Sequence, residues 1–354
     1  MRHDTLAGEG QPAPARAGES GLPRELPAIP GADAGSRPDS GRLDCVRPTH
    51  DSRARSSFVT LRPIVDAGPL PEPADFIADT RVEPAGGGLY HCDLSDRWNA
   101  SVYPFGGIAC AVALRAAQAE LGPSPQRLRT TTTVFISPVP VGRIEIQVQR
   151  LRIGKSMSQL QVTARAAGSS EGGLTLLAAY GQEREGFTFV DSEPPEAPPP
   201  DQCSPPADPP PGFQRWRSSF FEQMESRPVR MNPPWQSDWT GGRAEAVRWL
   251  RFRRAPRLAD GTLDPLALVA VSDTMPPAIG QKLGPGYPFF FAPSCDLTVH
   301  FFESTREDWL LVRSRCRHAG EGYASADCEI WSRDRRLLVY ATQTMYLRFE
   351  VPTG

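Results

Sequence analysis

Asp273 is the only carboxylate after Pro265 in an otherwise apolar stretch, Pro265 to Val271 (PLALVAV), which Asp264 opens as an N-cap and Pro276 and Pro277 close. In the last turn of such a helix, burial and the negative end of the helix dipole both disfavour a charged carboxylate. Its pKa then rises towards values useful to a general base; the plain alternative is a C-terminal polar residue facing water. Gln343 shares the parity of Ala341, Met345, Leu347 and Phe349, so a strand there points its amide to the apolar side, where it must find partners. It could position a water beside Asp273 or be a satisfied core glutamine. Ser294 alternates with Asp296, Thr298 and His300, opposite Leu297, Val299 and Phe301. It faces inward only if its strand bends or bulges near Pro293. Gly106 and Gly107 open a second apolar helix, whose first N–H groups could hold a developing oxyanion or could simply form a tight packing turn.

The elements that would carry these residues are legible from periodicity. Ile108 to Ala119 reads IACAVALRAAQA, with only Arg115 and Gln118 polar, and a helix apolar nearly all round must be enclosed. Ile144, Ile146 and Val148 alternate with Glu145, Gln147 and Gln149, and Leu160, Val162 and Ala164 alternate with Gln161, Thr163 and Arg165. That is the period of half-buried antiparallel strands. The order helix, TV strand, alternating strands, closing strand occurs twice. The valine of each TV pair and the closing glutamine lie 48 residues apart in one block (Val134, Gln182) and 44 in the other (Val299, Gln343). We read this as an internal duplication in the α+β class, each block an antiparallel sheet wrapped around one long buried helix. Gln182 is the expected counterpart of Gln343, with no helix carboxylate to match Asp273, so one working site per chain is expected.

Between Pro194 and Pro211, ten of eighteen residues are proline, a stiff extended connector that no sheet or helix interior absorbs. Residues 1–57, rich in Gly, Pro, Ala, Arg and Ser without apolar periodicity, read as a disordered leader. The expected organisation is therefore leader 1–57, first block 58–190, connector 191–212 and second block 213–354.

A formal net charge of -2 argues against a general nucleic-acid binder, and no apolar run reaches the roughly 18 residues of a membrane span. The seven cysteines form no CxxC pair and the five histidines no HExxH, so neither a zinc site nor a disulfide scaffold is expected. Reduced thiols fit a cytoplasmic compartment. Of 39 basic residues only Lys155 and Lys282 are lysine, a compositional bias, although arginine forks also hold phosphate. Gly168-Ser169-Ser170-Glu171-Gly172 matches GxSxG, but it joins two strand-like runs, so we read a hairpin turn rather than a nucleophile elbow.

Several segments resemble the acyl-CoA thioesterase II family. They are Trp98-Asn99 with Pro104-Phe105-Gly106-Gly107 and Leu114-Arg115-Ala116-Ala117; Phe135-Ile136-Ser137-Pro138 with Gly142 and Leu151-Arg152-Ile153-Gly154-Lys155-Ser156; Ser272-Asp273; Ser294-Cys295-Asp296-Leu297-Thr298-Val299-His300-Phe301; and Ala341-Thr342-Gln343. The resemblance implies a double hotdog fold over roughly residues 75 to 350. It also implies a catalytic set of Asp273, Ser294 and Gln343; our own reading of the helix start adds Gly106 and Gly107, where glycine permits close approach of a thioester carbonyl, as substrate-binding residues. Where the family often has Asp-His, this chain has Asp296-Leu297. The implied activity is hydrolysis of an acyl-CoA or related acyl thioester by a water that Asp273 activates, without a covalent acyl-enzyme and without a cofactor. A homo-oligomer stays open. The alternatives are a hydratase on the same fold, for which no short Asp/His motif is found, and a catalytically weak acyl-thioester-binding or partner-binding protein.

Overall fold

The computed structural model describes residues 70–210 and 218–349. The expected leader and the end of the proline connector lie outside them. Among the described residues no helix is long and apolar enough to cross a membrane.

A short helix, α1 (Phe76–Asp79), and a long one, α2 (Gly106–Leu121), accompany the first six strands. These are β1 (Glu83–Gly86), β2 (Leu89–Leu94), β3 (Arg127–Phe135), β4 (Gly142–Ile153), β5 (Met157–Ala166) and β6 (Leu174–Gly181). The second half comprises α3 (Ser219–Glu222), β7 (Met224–Arg230), β8 (Glu245–Phe252), α4 (Pro265–Ser272), α5 (Pro277–Leu283), β9 (Phe290–Phe291), β10 (Ser294–Phe301), β11 (Leu310–Gly320), β12 (Tyr323–Trp331), β13 (Leu337–Tyr346) and β14 (Arg348–Phe349).

The sheets of the two blocks join edge to edge, as expected of two antiparallel sheets that would otherwise each expose an edge. Twelve strands run in the order β1-β2-β4-β5-β6-β3-β10-β13-β12-β11-β8-β7, all antiparallel, while β9 and β14 form a separate ribbon. The joint is β3 against β10, where Thr132 faces Thr298. Each would otherwise present a row of unpaired N–H and C=O groups, and pairing them removes two edges at once.

A shift of 166 residues, the separation of Thr132 and Thr298, also carries the β3 irregularity at Leu128/Thr130 onto the β10 irregularity at Ser294/Asp296. The duplication is thus written into the ladder, as a two-fold through the Thr132–Thr298 pair.

The core lies on one face of this sheet. Here α2 packs on β4, β5 and β6, α4 packs on β10, β12 and β13, and the two helices pack on each other. Every residue of α4 after Pro265 is buried, as is α2 from Gly107 to Leu114. The halves differ in one respect from the expectation of two long helices: α4 has only eight residues. Pro276 and Pro277 cannot continue it, and the chain restarts as α5.

The opposite face carries a smaller apolar cluster of Val247, Trp249, Leu311, Trp331 and Leu337. The connector lies over it. Ala197 and Cys203 pack against the cluster, and the Trp249 indole N–H donates to the Pro198 carbonyl at 2.8 Å. Proline's missing N–H groups leave no ladder to satisfy, so an extended strap can cross a sheet face without joining it.

Candidate active site

Asp273 is the C-cap of α4 and is 4% exposed. Its two oxygens are held from three different elements. The Gly107 backbone N–H, at the start of α2, donates to Oδ2 at 2.8 Å. The Ser294 hydroxyl, at the start of β10, donates to Oδ1 at 3.1 Å. The Gln343 amide nitrogen, on β13, donates to the same Oδ1 and to the Ser294 Oγ. The three residues singled out in the sequence therefore meet around one carboxylate.

Each reaches it for a local reason. Asp273 is where α4 must stop, so its side chain leaves the helix at the seam with α2. Gln343 sits on the inward parity of β13 between the fully buried Ala341 and Met345. Ser294 needs an irregularity, and the ladder supplies one. Ser294 faces Met345, but the next paired residue, Asp296, faces Thr344, so Cys295 is an extra residue. That extra residue changes the parity and puts Ser294 on the inner side with Met345.

The two glycines serve the carboxylate. A Cβ at Gly106 would lie 2.8 Å from the Asp273 Oδ2 and 3.2 Å from the Phe135 ring. One at Gly107 would lie 2.6 Å from the Ala270 Cα. Only glycine lets α2 come this close to α4, and the closeness brings the Gly107 N–H onto Oδ2. This N–H, expected at a developing oxyanion, is engaged by Asp273 instead.

Electrostatics oppose one another here. Burial raises the Asp273 carboxyl and the hydrogen bonds from Gly107, Ser294 and Gln343 lower it; burial wins, and the value goes from an ordinary one near 3.8 to about 6. The Gln343 Oε1 is buried with no hydrogen-bond partner among the described residues. An orphaned buried acceptor beside a carboxylate of raised pKa is a place for an O–H donor.

Among the described residues, the first half has no such constellation. By the ladder two-fold, Ser294 corresponds to Leu128 and Gln343 to Ala178, which faces Thr131 as Gln343 faces Leu297. The expected counterpart Gln182 lies beyond the end of β6, and its N–H donates to the Ser156 carbonyl. The carboxylate of α2, Glu120, is engaged by Tyr90 and Arg150. Ser170 of the GxSxG run is exposed in the β5–β6 hairpin.

Two family models match the chain. One, the acyl-CoA thioesterase N-terminal domain, covers residues 94–181, and the other, the acyl-CoA thioesterase C-terminal domain, covers residues 200–347. No curated protein matches it. Among solved structures, it is similar to a conserved protein of unknown function with a hot dog fold from Alicyclobacillus acidocaldarius, at 25% identity and a TM-score of 0.64, over 78% of this chain and 98% of that one. It is also similar in fold to an acyl-CoA thioesterase II, TesB2, from Mycobacterium marinum (21% identity, TM-score 0.61, 78% and 98% covered). A tesB protein from Mycobacterium avium subs paratuberculosis shares 19% identity with a TM-score of 0.57 over 77% and 98%.

Proposed function

Since this chain belongs to the acyl-CoA thioesterase family and is a thioester hydrolase, we propose that Asp273 is its general base and that acyl-CoA is its substrate. The observation that carries this is the buried carboxylate of Asp273, raised to about 6 and held by Gly107, Ser294 and Gln343. A base of that pKa is ionised at neutral pH yet still basic enough to take a proton from water.

In this reading a water lies against Asp273 and donates its second O–H to the unpartnered Gln343 Oε1. Asp273 takes one proton while the water oxygen adds to the thioester carbonyl carbon. The C–S bond then breaks, the proton passes to the departing sulfur, and free acid and coenzyme A leave. Ser294 donates to Asp273 and accepts from Gln343, so it fixes the amide with Oε1 turned to the water. No covalent acyl-enzyme is needed. Ser294 is a positioning residue in this reading: its oxygen is engaged by the Gln343 amide, and among the described residues no histidine base stands beside it.

Two hotdog halves, 58–190 and 213–354, with only the second contributing the base, complete the proposal. The apolar counterparts Leu128 and Ala178 support a single site per chain. The test is the release of free thiol from a panel of acyl-CoA thioesters by wild type and Asp273→Asn. Turnover by wild type that vanishes in the variant is expected, and turnover retained in the variant would remove Asp273 from the mechanism.

A further inference from the structure

Among the described residues, every buried carboxylate but Asp273 meets an arginine: Arg115 meets Asp264, Arg313 meets Glu329, and Arg315 meets both Asp327 and Glu329. Arg248 is the one buried arginine among them and has no such match. It lies on the inner face of β8 and is 6% exposed, yet among the described residues no carboxylate pairs with it. Among the described residues its guanidinium meets the Thr274 carbonyl at 3.4 Å from Nη2, the Met231 sulfur at 3.8 Å from Nη1 and the Phe221 ring centroid at 5.5 Å, and the Cys328 thiol is in electrostatic range. A desolvated cation without a counter-ion is costly. Burial lowers its pKa only to about 10, so it keeps its charge at neutral pH.

Its position is as telling as its isolation. Thr274 is the residue after Asp273, so the guanidinium stands one peptide from the proposed base. On the other side, the Phe221 ring meets the Phe105 ring edge-on at 6.0 Å, and Phe105 immediately precedes Gly106 and Gly107. Arg248, Thr274, Asp273, Gly107, Phe105 and Phe221 are thus linked by successive contacts and chain neighbours. A short acyl group with its thioester carbon at Asp273 and its chain directed along Thr274 would bring its far end to Arg248.

Resting on the hydrolase reading above, we propose that Arg248 is a specificity residue and that the acyl group carries a carboxylate at its far end, an ω-carboxyacyl-CoA. The substrate supplies the counter-ion that the chain omits. A planar guanidinium suits a carboxylate, which it can hold through two parallel N–H bonds. The phosphates of coenzyme A are the other anions in such a substrate. They are separated from the thioester by the whole pantetheine arm, whereas Arg248 is next door to the base.

The test compares glutaryl- and adipoyl-CoA with their neutral partners of equal length, valeryl- and hexanoyl-CoA, on wild type, Arg248→Met and Arg248→Lys. Wild type is expected to favour the carboxylated members in kcat/KM. Arg248→Met, similar in length and apolar, is expected to lose at least about tenfold on these and to keep or gain activity on the neutral ones. Arg248→Lys should fall between. Retained turnover of hexanoyl-CoA shows that the variant is folded and the base intact. A wild type that prefers the neutral thioesters, or a variant that loses both classes equally, would overturn the proposal and leave Arg248 as a cap on the end of α4. A non-hydrolysable thioether analogue of adipoyl-CoA separates the two readings. If wild type releases no thiol yet the analogue raises its Tm and not that of Arg248→Met, the hydrolase reading fails and the Arg248 site stands. If the analogue shifts neither, the Arg248 site falls.

Discussion

At the scale of single residues, the site is a contest between burial, which favours a protonated Asp273, and three donors that favour its anion. Asp273→Asn removes the basicity and keeps the size. The rate is expected to fall by about 10² to 10⁴, the usual worth of a general base, with the far-ultraviolet circular dichroism unchanged. The same contest sets a pH signature. Wild-type turnover should rise with pH through an apparent pKa near 6 as the base ionises, a limb that a pH–rate profile resolves. Stability should move the opposite way. A carboxyl whose pKa is higher folded than unfolded binds its proton more tightly in the native state, so its contribution is full below about pH 4 and is lost as the pH rises from 3.8 towards 6. The loss amounts to about 3 kcal/mol. Melting temperatures of wild type and Asp273→Asn should therefore diverge across that window, with the variant gaining as the pH rises; parallel curves would speak against the raised pKa. Gly106→Ala places a methyl against Oδ2 and should cost activity at least tenfold by displacing the carboxylate, measured as kcat at saturating substrate.

At the scale of elements, the site depends on how closely two helices approach and on one extra residue in a strand. A Cβ at Gly107 meets the Ala270 backbone, which cannot rotate away. Gly107→Ala should push α2 off α4 and cost about 1–3 kcal/mol in urea unfolding, the usual range for overpacking. The helical run PLALVAV and its proline stop are plain in the sequence, as is the inward parity of Gln343. The bulge at Cys295 is not. Alternation alone assigns Ser294 to the outer face, and no residue type announces that the ladder will skip one position. The connector shows a related limit. Its prolines announce extension, but its docking onto Trp249 depends on which face of a distant strand is left bare. Proteolysis should accordingly cut at 187–190, where Phe187 and Phe189 are exposed, and spare 196–203, which packs against the apolar cluster. Fragment masses from a timed digest would show the order.

At the scale of the whole molecule, the sheet is continuous because β3 and β10, each an edge strand of its own half, pair with each other. Residues 58–190 expressed alone should therefore self-pair or aggregate, and a soluble monomer by sedimentation would contradict a joint made at Thr132–Thr298. Periodicity and composition, which are local, suffice for the antiparallel strands, the two enclosed apolar helices, the order of elements in each half, and the polar residues stranded in apolar company, Asp273 and Gln343. The resemblance of short segments points to the same chemistry. What the tertiary structure decided is everything set by the meeting of distant segments: which strands make the joint and in what register, that the counterpart of Gln343 is Ala178 rather than Gln182, that the Gly107 N–H serves Asp273, and that Arg248 has no counter-ion among the described residues. Register across the β3–β10 joint is fixed by pairing over more than 160 residues of chain, and a charge is unpaired only relative to what the fold brings beside it.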